Sequence, residues 1–151
     1  MIKAHKLISS CFGIGYLKGG GTFAALACCL CWYFLSRYGH SNSMWLSVST
    51  IIITGIGIWA AGSIDVVWGK DSSKVVIDEV AGMCVGLLFL PVQLKYIAAS
   101  FILFRFFDIT KPLFIRSLEK LPLGWGVMAD DLLAGIYANL IMQIIVFSHL
   151  F

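Results

Sequence analysis

The chain alternates long apolar runs with short polar connections. Apolar segments extend from about Thr22 to Tyr38, Met44 to Gly62, Val80 to Phe107 and Leu132 to Phe151, and continuous runs of this length predict helices rather than half-buried strands. The third run is interrupted by Leu90-Pro91-Val92-Gln93-Leu94-Lys95. Proline lacks the N–H that a helix interior needs, and the polar residues after it favour a turn. The run therefore predicts a hairpin of two short helices. Each arm has roughly 12 to 14 residues, on the order of 20 Å at 1.5 Å per residue, against a ~30 Å hydrocarbon core. The expected fold class is all-α: one integral membrane helical bundle over residues 1–151, with short helices and a reversal near Pro91. Tyr38, Trp45, Trp68 and Tyr96, near segment ends, are expected to act as interfacial anchors.

Composition strengthens the membrane reading. Of 151 residues, 60% are hydrophobic and 13% charged, with mean hydropathy +0.92, so a water-facing surface could not be covered with polar side chains. The same values exclude a disordered chain, a collagen-like repeat, a basic nucleic-acid-binding module and a secreted disulfide scaffold. The five cysteines, Cys11, Cys28, Cys29, Cys31 and Cys84, are expected to fill packed or lipid-facing helix surface. The C-x-x-C of Cys28 and Cys31 and the C-x5-R of Cys31 and Arg37 are read as chance matches, because their surroundings offer no electropositive, wet loop for a thiolate. Lys3 and Lys6 precede an apolar stretch as in a signal peptide, but Lys18 and the adjoining glycines interrupt it, and the segment is expected to be retained.

Charge placement predicts topology. With the N-terminus cytoplasmic, Lys3, Lys6, Lys18, Lys70, Lys74, Arg105, Lys111, Arg116 and Lys120 fall on that side, and Arg37 and Lys95 on the other. This is the cationic bias expected of a cytoplasmic face. Asp65, Asp71, Asp78, Glu79, Asp108, Glu119, Asp130 and Asp131, all eight acidic residues, share that face. The result depends on the reversal near Pro91. A single crossing from Val80 to Phe107 would separate Asp78 from Asp108.

Five of these carboxylates, Asp78, Glu79, Asp108, Asp130 and Asp131, are predicted at helix ends, where membrane depth makes a charge costly unless it is paired, metal-bound or in a wet cavity. Arg105, Asp108 and Lys111 recur along one helical face until Pro112, a pattern that a structural salt-bridge stripe would also produce. Asp78-Glu79-Val80-Ala81-Gly82 and Asp130-Asp131-Leu132-Leu133-Ala134-Gly135 repeat one design. In each an acidic pair is expected to open a helix, and an Ala-Gly step a turn later lets another helix approach. Capping accounts for one acid per helix better than for two. Gathered at one face, the acids would make an all-oxygen site for a hard divalent cation, Mg2+ first. Gly19-Gly20-Gly21-Thr22, after Lys18, could hold a phosphate on backbone N–H groups, with Thr22 capping the helix or donating to the anion. It is neither a Walker A loop nor a dinucleotide fingerprint. His5, His40 and His149 are scattered, which argues against a histidine zinc site or a serine triad.

Three segments together resemble the phosphatidylglycerophosphatase A family of bacterial membrane phosphatases: Val75 to Gly82, Phe104-Arg105-Phe106-Phe107-Asp108-Ile109-Thr110-Lys111-Pro112, and Gly124 to Ala138. They occur in the family's order across most of the chain. The chain departs from the family in its first loop, where Lys18, Gly19 and Gly20 replace prolines before Gly21-Thr22 and Ala24 replaces a glycine. It also departs at Ser72 and Phe114, where prolines are usual. No departure removes a carboxylate or a phosphate-binding cation. The resemblance implies an all-helical bundle that, with Mg2+, converts phosphatidylglycerophosphate in the bilayer to phosphatidylglycerol and phosphate. The expected location is the bacterial inner membrane with the site on the cytoplasmic side, as the charge bias indicates; no nucleic acid is expected and no obligate protein partner is evident.

Phosphate monoester hydrolysis needs neutralised phosphoryl oxygens, a positioned nucleophile and a stabilised leaving group. On this reading Glu79, Asp108 and Asp131 hold metal, and Asp78 or Asp130 is a further ligand or a general base. Arg105 and Lys111 bind phosphate, with Lys74 and Thr22 in support. Direct attack by water and an aspartyl-phosphate intermediate both remain open. The competing readings are a CDP-alcohol phosphotransferase, whose aspartate motif is absent, a small ion or proton transporter, and a structural membrane subunit.

Overall fold

The computed structural model describes residues 2–38, 43–69 and 72–148. Lys70, Asp71, His40 and His149, noted above, lie outside the described residues, as does Phe151. Among those described there are seven α-helices and no strand: α1 (Ile2–Ser9), α2 (Gly20–Arg37), α3 (Ser43–Trp68), α4 (Ile77–Leu87), α5 (Leu94–Thr110), α6 (Ile115–Leu118) and α7 (Gly124–Phe147). A single 3-10 turn, Ile14–Tyr16, precedes α2.

The long helices are largely apolar all round, and small residues are prominent on their inward faces, beside a few large ones such as Trp32, Ile64 and Met142. On α2 the buried face carries Ala24, Ala25, Cys28 and Cys29, while Phe23, Leu26, Leu30 and Phe34 point outward. On α3, Gly57, Ala60 and Ala61 are buried while Ile51, Ile52 and Trp59 are exposed, and on α7 Ala134, Gly135 and Ala138 face in while Leu140 and Ile144 face out. Small residues inside and large hydrophobics outside are the pattern of helices that pack closely within lipid, where burial in protein gains nothing over burial in acyl chains. Two helices, α3 and α7, are long and apolar enough to span a bilayer. At 18 residues, α2 is somewhat shorter, about 27 Å. The apolar outer surface associates the bundle with a membrane.

The predicted hairpin is present, with unequal arms: α4 has 11 residues and α5 has 17. A helix of about 16 Å is tolerated because α4 lies inside the bundle, against α2, α3, α5 and α7. Its Met83, Cys84 and Leu87 join Ala25, Trp32, Phe104 and Ala138 in the main core cluster. The break after α4 releases carbonyl groups that lipid could not satisfy. Ser100 Oγ donates to Gly86 O at 2.8 Å, Asn139 Nδ2 donates to Leu88 O at 2.8 Å, and Gln143 Nε2 donates to Leu88 O at 3.3 Å.

α4 and α7 run parallel in intimate contact. A Cβ on Gly135 would meet the Gly82 carbonyl, and one on Gly82 would meet the Asp131 carbonyl and the Phe104 ring. The two Ala-Gly steps predicted to admit a neighbouring helix thus admit each other. This brings both acidic pairs to one end of the bundle.

Three sequence expectations need correction. Helix α7 starts at Gly124, not near Leu132, so Asp130 and Asp131 lie inside the helix rather than opening it. The cause is tertiary: bare Gly124 lets the chain start a helix hard against the Ile58 carbonyl and Gly62 of α3. Tyr96 is no interfacial anchor, because it is buried with Leu90 and Met142. Thr22 does not cap α2; Gly19, in the left-handed region at φ 79°, occupies the N-cap position.

Candidate functional site

Three helices deliver the charged residues to one end of the bundle. Asp78 and Glu79 stand in the first turn of α4, with the Glu79 amide donating to Asp78 Oδ1 at 3.1 Å. Asp130 and Asp131 come from α7 beside them, and Arg105 and Asp108 from the end of α5, returned by the reversal. One oxygen each from Asp78, Glu79 and Asp131 lie within 4.8 Å of one another, an arrangement that could hold a metal ion. Asp78 and Asp131 are buried, and Glu79 Oε2 is buried without a hydrogen-bond partner among the described residues. Three converging carboxylates with an unsatisfied oxygen fit a hard cation, which would supply the missing countercharge.

The remaining two acids have cationic partners. Arg105 Nη1 donates to Asp108 Oδ2 in an ion pair. Asp108 also lies within electrostatic reach of Glu79 and Asp131, so it borders the trio. Arg105 Nε is buried with no partner among the described residues. Lys111 Nζ donates to Asp130 Oδ2 at 2.6 Å and to Glu119 Oε1 at 2.7 Å. Burial alone would lower the Lys111 ammonium, but hydrogen bonds to Asp130 and Glu119 outweigh it and hold Lys111 above the ordinary lysine value.

A cavity of about 540 Å³ opens beside this cluster, lined by Gly15 through Thr22, Ser73, Lys74, Glu79 and Arg105. It brings Thr22, Lys74, Arg105 and Glu79 to one space; Lys111, Asp78, Asp108, Asp130 and Asp131 are not in its lining. The amides of Gly21 and Thr22 belong to the first turn of α2, where a helix has no internal acceptor for them. A Cβ on Gly21 would fall on the Glu79 carboxylate, so a bare residue is required where the loop meets the acid. Lys74 Nζ lies 5.6 Å from the Trp68 ring centre and 6.0 Å from that of Tyr16, cation–π contacts that steady a flexible side chain at the cavity wall.

Sequence reasoning did not assign Glu119 or Ser73 to the site. Glu119 is linked to Lys111 through α6, a four-residue helix that no apolar periodicity announces. Ser73 lies in the irregular approach to α4, where no local motif singles it out.

Fold and site together define a class: an all-helical, membrane-associated protein with a basic cavity against a cluster of buried carboxylates, the equipment of a phosphohydrolase. Residues 7–146 match the family profile described as Phosphatidylglycerophosphatase A. The chain belongs to the phosphatidylglycerophosphatase A family and is a lipid phosphatase. It is 38% identical over 146 residues to a Bacteroides thetaiotaomicron protein provisionally named as a phosphatidylinositol-3-phosphatase, covering 91% of each chain. It is 31% identical over 130 residues to phosphatidylglycerophosphatase A of Escherichia coli, covering 83% of this chain and 73% of that one. Over a shorter stretch of 74 residues it is 46% identical to the Haemophilus influenzae protein of the same name, covering 48% of this chain and 45% of that one. No solved structure matches the chain.

Proposed function

We propose that the protein is a Mg2+-dependent phosphatidylglycerophosphatase of the bacterial inner membrane, with its site at the cytoplasmic face, releasing inorganic phosphate and leaving phosphatidylglycerol. The observation that supports this best is the shared wall between the basic cavity and the acidic trio: Glu79 lines the first and belongs to the second. A phosphate monoester in the cavity meets Arg105, Lys74 and the amides of Gly21 and Thr22, which neutralise and orient its oxygens. Asp108 fixes the Arg105 guanidinium from its other side. Asp78, Glu79 and Asp131 would hold Mg2+, which when bound lowers the pKa of a coordinated water and offsets phosphoryl charge. Asp130, with Lys111 and Glu119, holds the α5–α6 turn against α7 and so positions Asp131 and Asp108. The cationic bias of this end supports the cytoplasmic orientation.

The name of the Bacteroides thetaiotaomicron relative favours a second substrate, phosphatidylinositol 3-phosphate, through the same chemistry. The test is phosphate release from both lipids by purified protein, with and without Mg2+, beside Glu79→Gln and Asp131→Asn. Mg2+-dependent release from phosphatidylglycerophosphate, lost in both variants, is expected. Release confined to phosphatidylinositol 3-phosphate would replace the substrate, and release unaffected by chelation would remove the metal.

A further inference from the structure

Beside the polar cavity, helices α1 to α4 enclose an apolar groove of about 580 Å³, within the ~300–1,000 Å³ range of ligand pockets. Its head end includes Ile14 and Val80. These are the chain neighbours of Gly15 and Glu79, which line the polar cavity, so the same two segments border both spaces. Cys11 gives a second link. It lines the groove from the segment that joins α1 to the polar-cavity loop beginning at Gly15. From Ala24 to Leu35 the groove follows α2 for about 16 Å at 1.5 Å per residue, close to half of a ~30 Å hydrocarbon core. Small residues such as Ala27 form part of its wall, and Cys31 and Leu35 leave it open along its side.

We infer that this groove seats one acyl chain of the lipid whose phosphate occupies the polar cavity. The inference rests on the lipid phosphatase reading above. The substrate's own chain is the occupant because it is covalently tied to the bound phosphate and must leave the head-group site along its border. Ile14 and Val80 are that border. A second apolar groove of about 340 Å³, between α2 and α5, is lined by Leu26, Leu30 and Ile102 among others. None of its lining residues is a chain neighbour of one lining the polar cavity, which makes it a matched control.

The test compares dipalmitoyl and dihexanoyl phosphatidylglycerophosphate as substrates of the full chain in mixed micelles. Cys31→Trp fills the proposed groove, and Leu30→Trp places the same side chain in the control groove. Cys31→Trp is expected to raise KM for the long-chain lipid by about tenfold or more while leaving the short-chain lipid within about twofold; Leu30→Trp is expected to change neither beyond twofold. Equal losses on both lipids in Cys31→Trp, or an unchanged long-chain KM, would overturn the inference. A long-chain substrate with a photoreactive acyl tail supplies a readout in the unaltered protein. Labelling should concentrate on residues between α2 and α3, and labelling spread evenly over α5 and α7 would overturn the assignment. If the unaltered protein hydrolyses both lipids with equal kcat/KM, the phosphatase reading stands and the acyl seat falls. If it hydrolyses neither, the phosphatase reading itself falls.

Discussion

Replacing Gly135 with alanine tests whether the contact between α4 and α7 sets the spacing of the acidic trio. The added Cβ would lie 3.0 Å from the Gly82 carbonyl carbon and 3.2 Å from Val85 Cβ, and closer still to the Gly82 oxygen. Relaxed carbon contacts are ~3.5–4.0 Å, so the two helices must part by roughly 0.5–1 Å. Overpacking of this kind costs about 1–3 kcal/mol of stability. The functional cost is larger, because Asp78 and Glu79 ride on α4 and Asp131 on α7. One oxygen from each of the three lies within 4.8 Å of the others, a convergence that depends on how closely the two helices approach. Parting the helices carries Asp131 away from Asp78 and Glu79. A misplacement near 1 Å can cost on the order of 100-fold in rate, so Gly135→Ala should lose about that factor in phosphate release and need more Mg2+ for half-maximal activity. Gly55→Ala is the control: a Cβ there meets nothing within 4 Å, and the change should stabilise α3 by about 0.5–1 kcal/mol with activity intact. Folded Gly135→Ala with activity within twofold of the parent would refute the reasoning.

Other outcomes follow from the same geometry. Lys111→Met removes an ammonium from the buried Asp130 carboxylate and should cost about 1–3 kcal/mol in chemical denaturation. Because Lys111 is raised in the fold, its contribution is fully present below the ordinary lysine value and is lost only as pH rises through the higher folded value. The difference between parent and variant should therefore stay constant from about pH 7 to pH 9; a difference that vanishes by pH 9 would contradict this. Cys11, pushed up to about 11 from an ordinary 9.0, should alkylate about 100-fold more slowly at neutral pH than an unperturbed thiol. Glu79→Gln should accelerate that alkylation by removing the adjacent charge, and mass spectrometry at Cys11 reads the rate. Asn139→Leu removes the donor to the freed Gly86 and Leu88 carbonyls and should lower thermal stability by about 1–2 kcal/mol, whereas an unchanged melting temperature would mean that the break is satisfied without it.

The amino-acid sequence by itself determined the fold class, the reversal and the sharing of one end by the acids. Helical apolar runs, Pro91 and the placement of Lys and Arg are local or cumulative signals that survive without knowledge of contacts. The pairing of acids within that end was a tertiary decision. All five candidate carboxylates look alike in sequence, yet the structure groups Asp78 and Glu79 with Asp131, gives Asp108 to Arg105 and gives Asp130 to Lys111. Adjacent residues on a helix point about 100° apart, so Asp130 and Asp131 face different neighbours once α7 is docked against α4. The start of α7 followed the same logic: two glycines weaken a helix locally, but the bare backbone of Gly124 permits the contact with α3, and that of Gly126 the close approach of the Glu119 and Leu121 carbonyls. Side-chain partners depend on which helix faces meet, and that is settled by small residues spaced a turn apart on elements far apart in the chain.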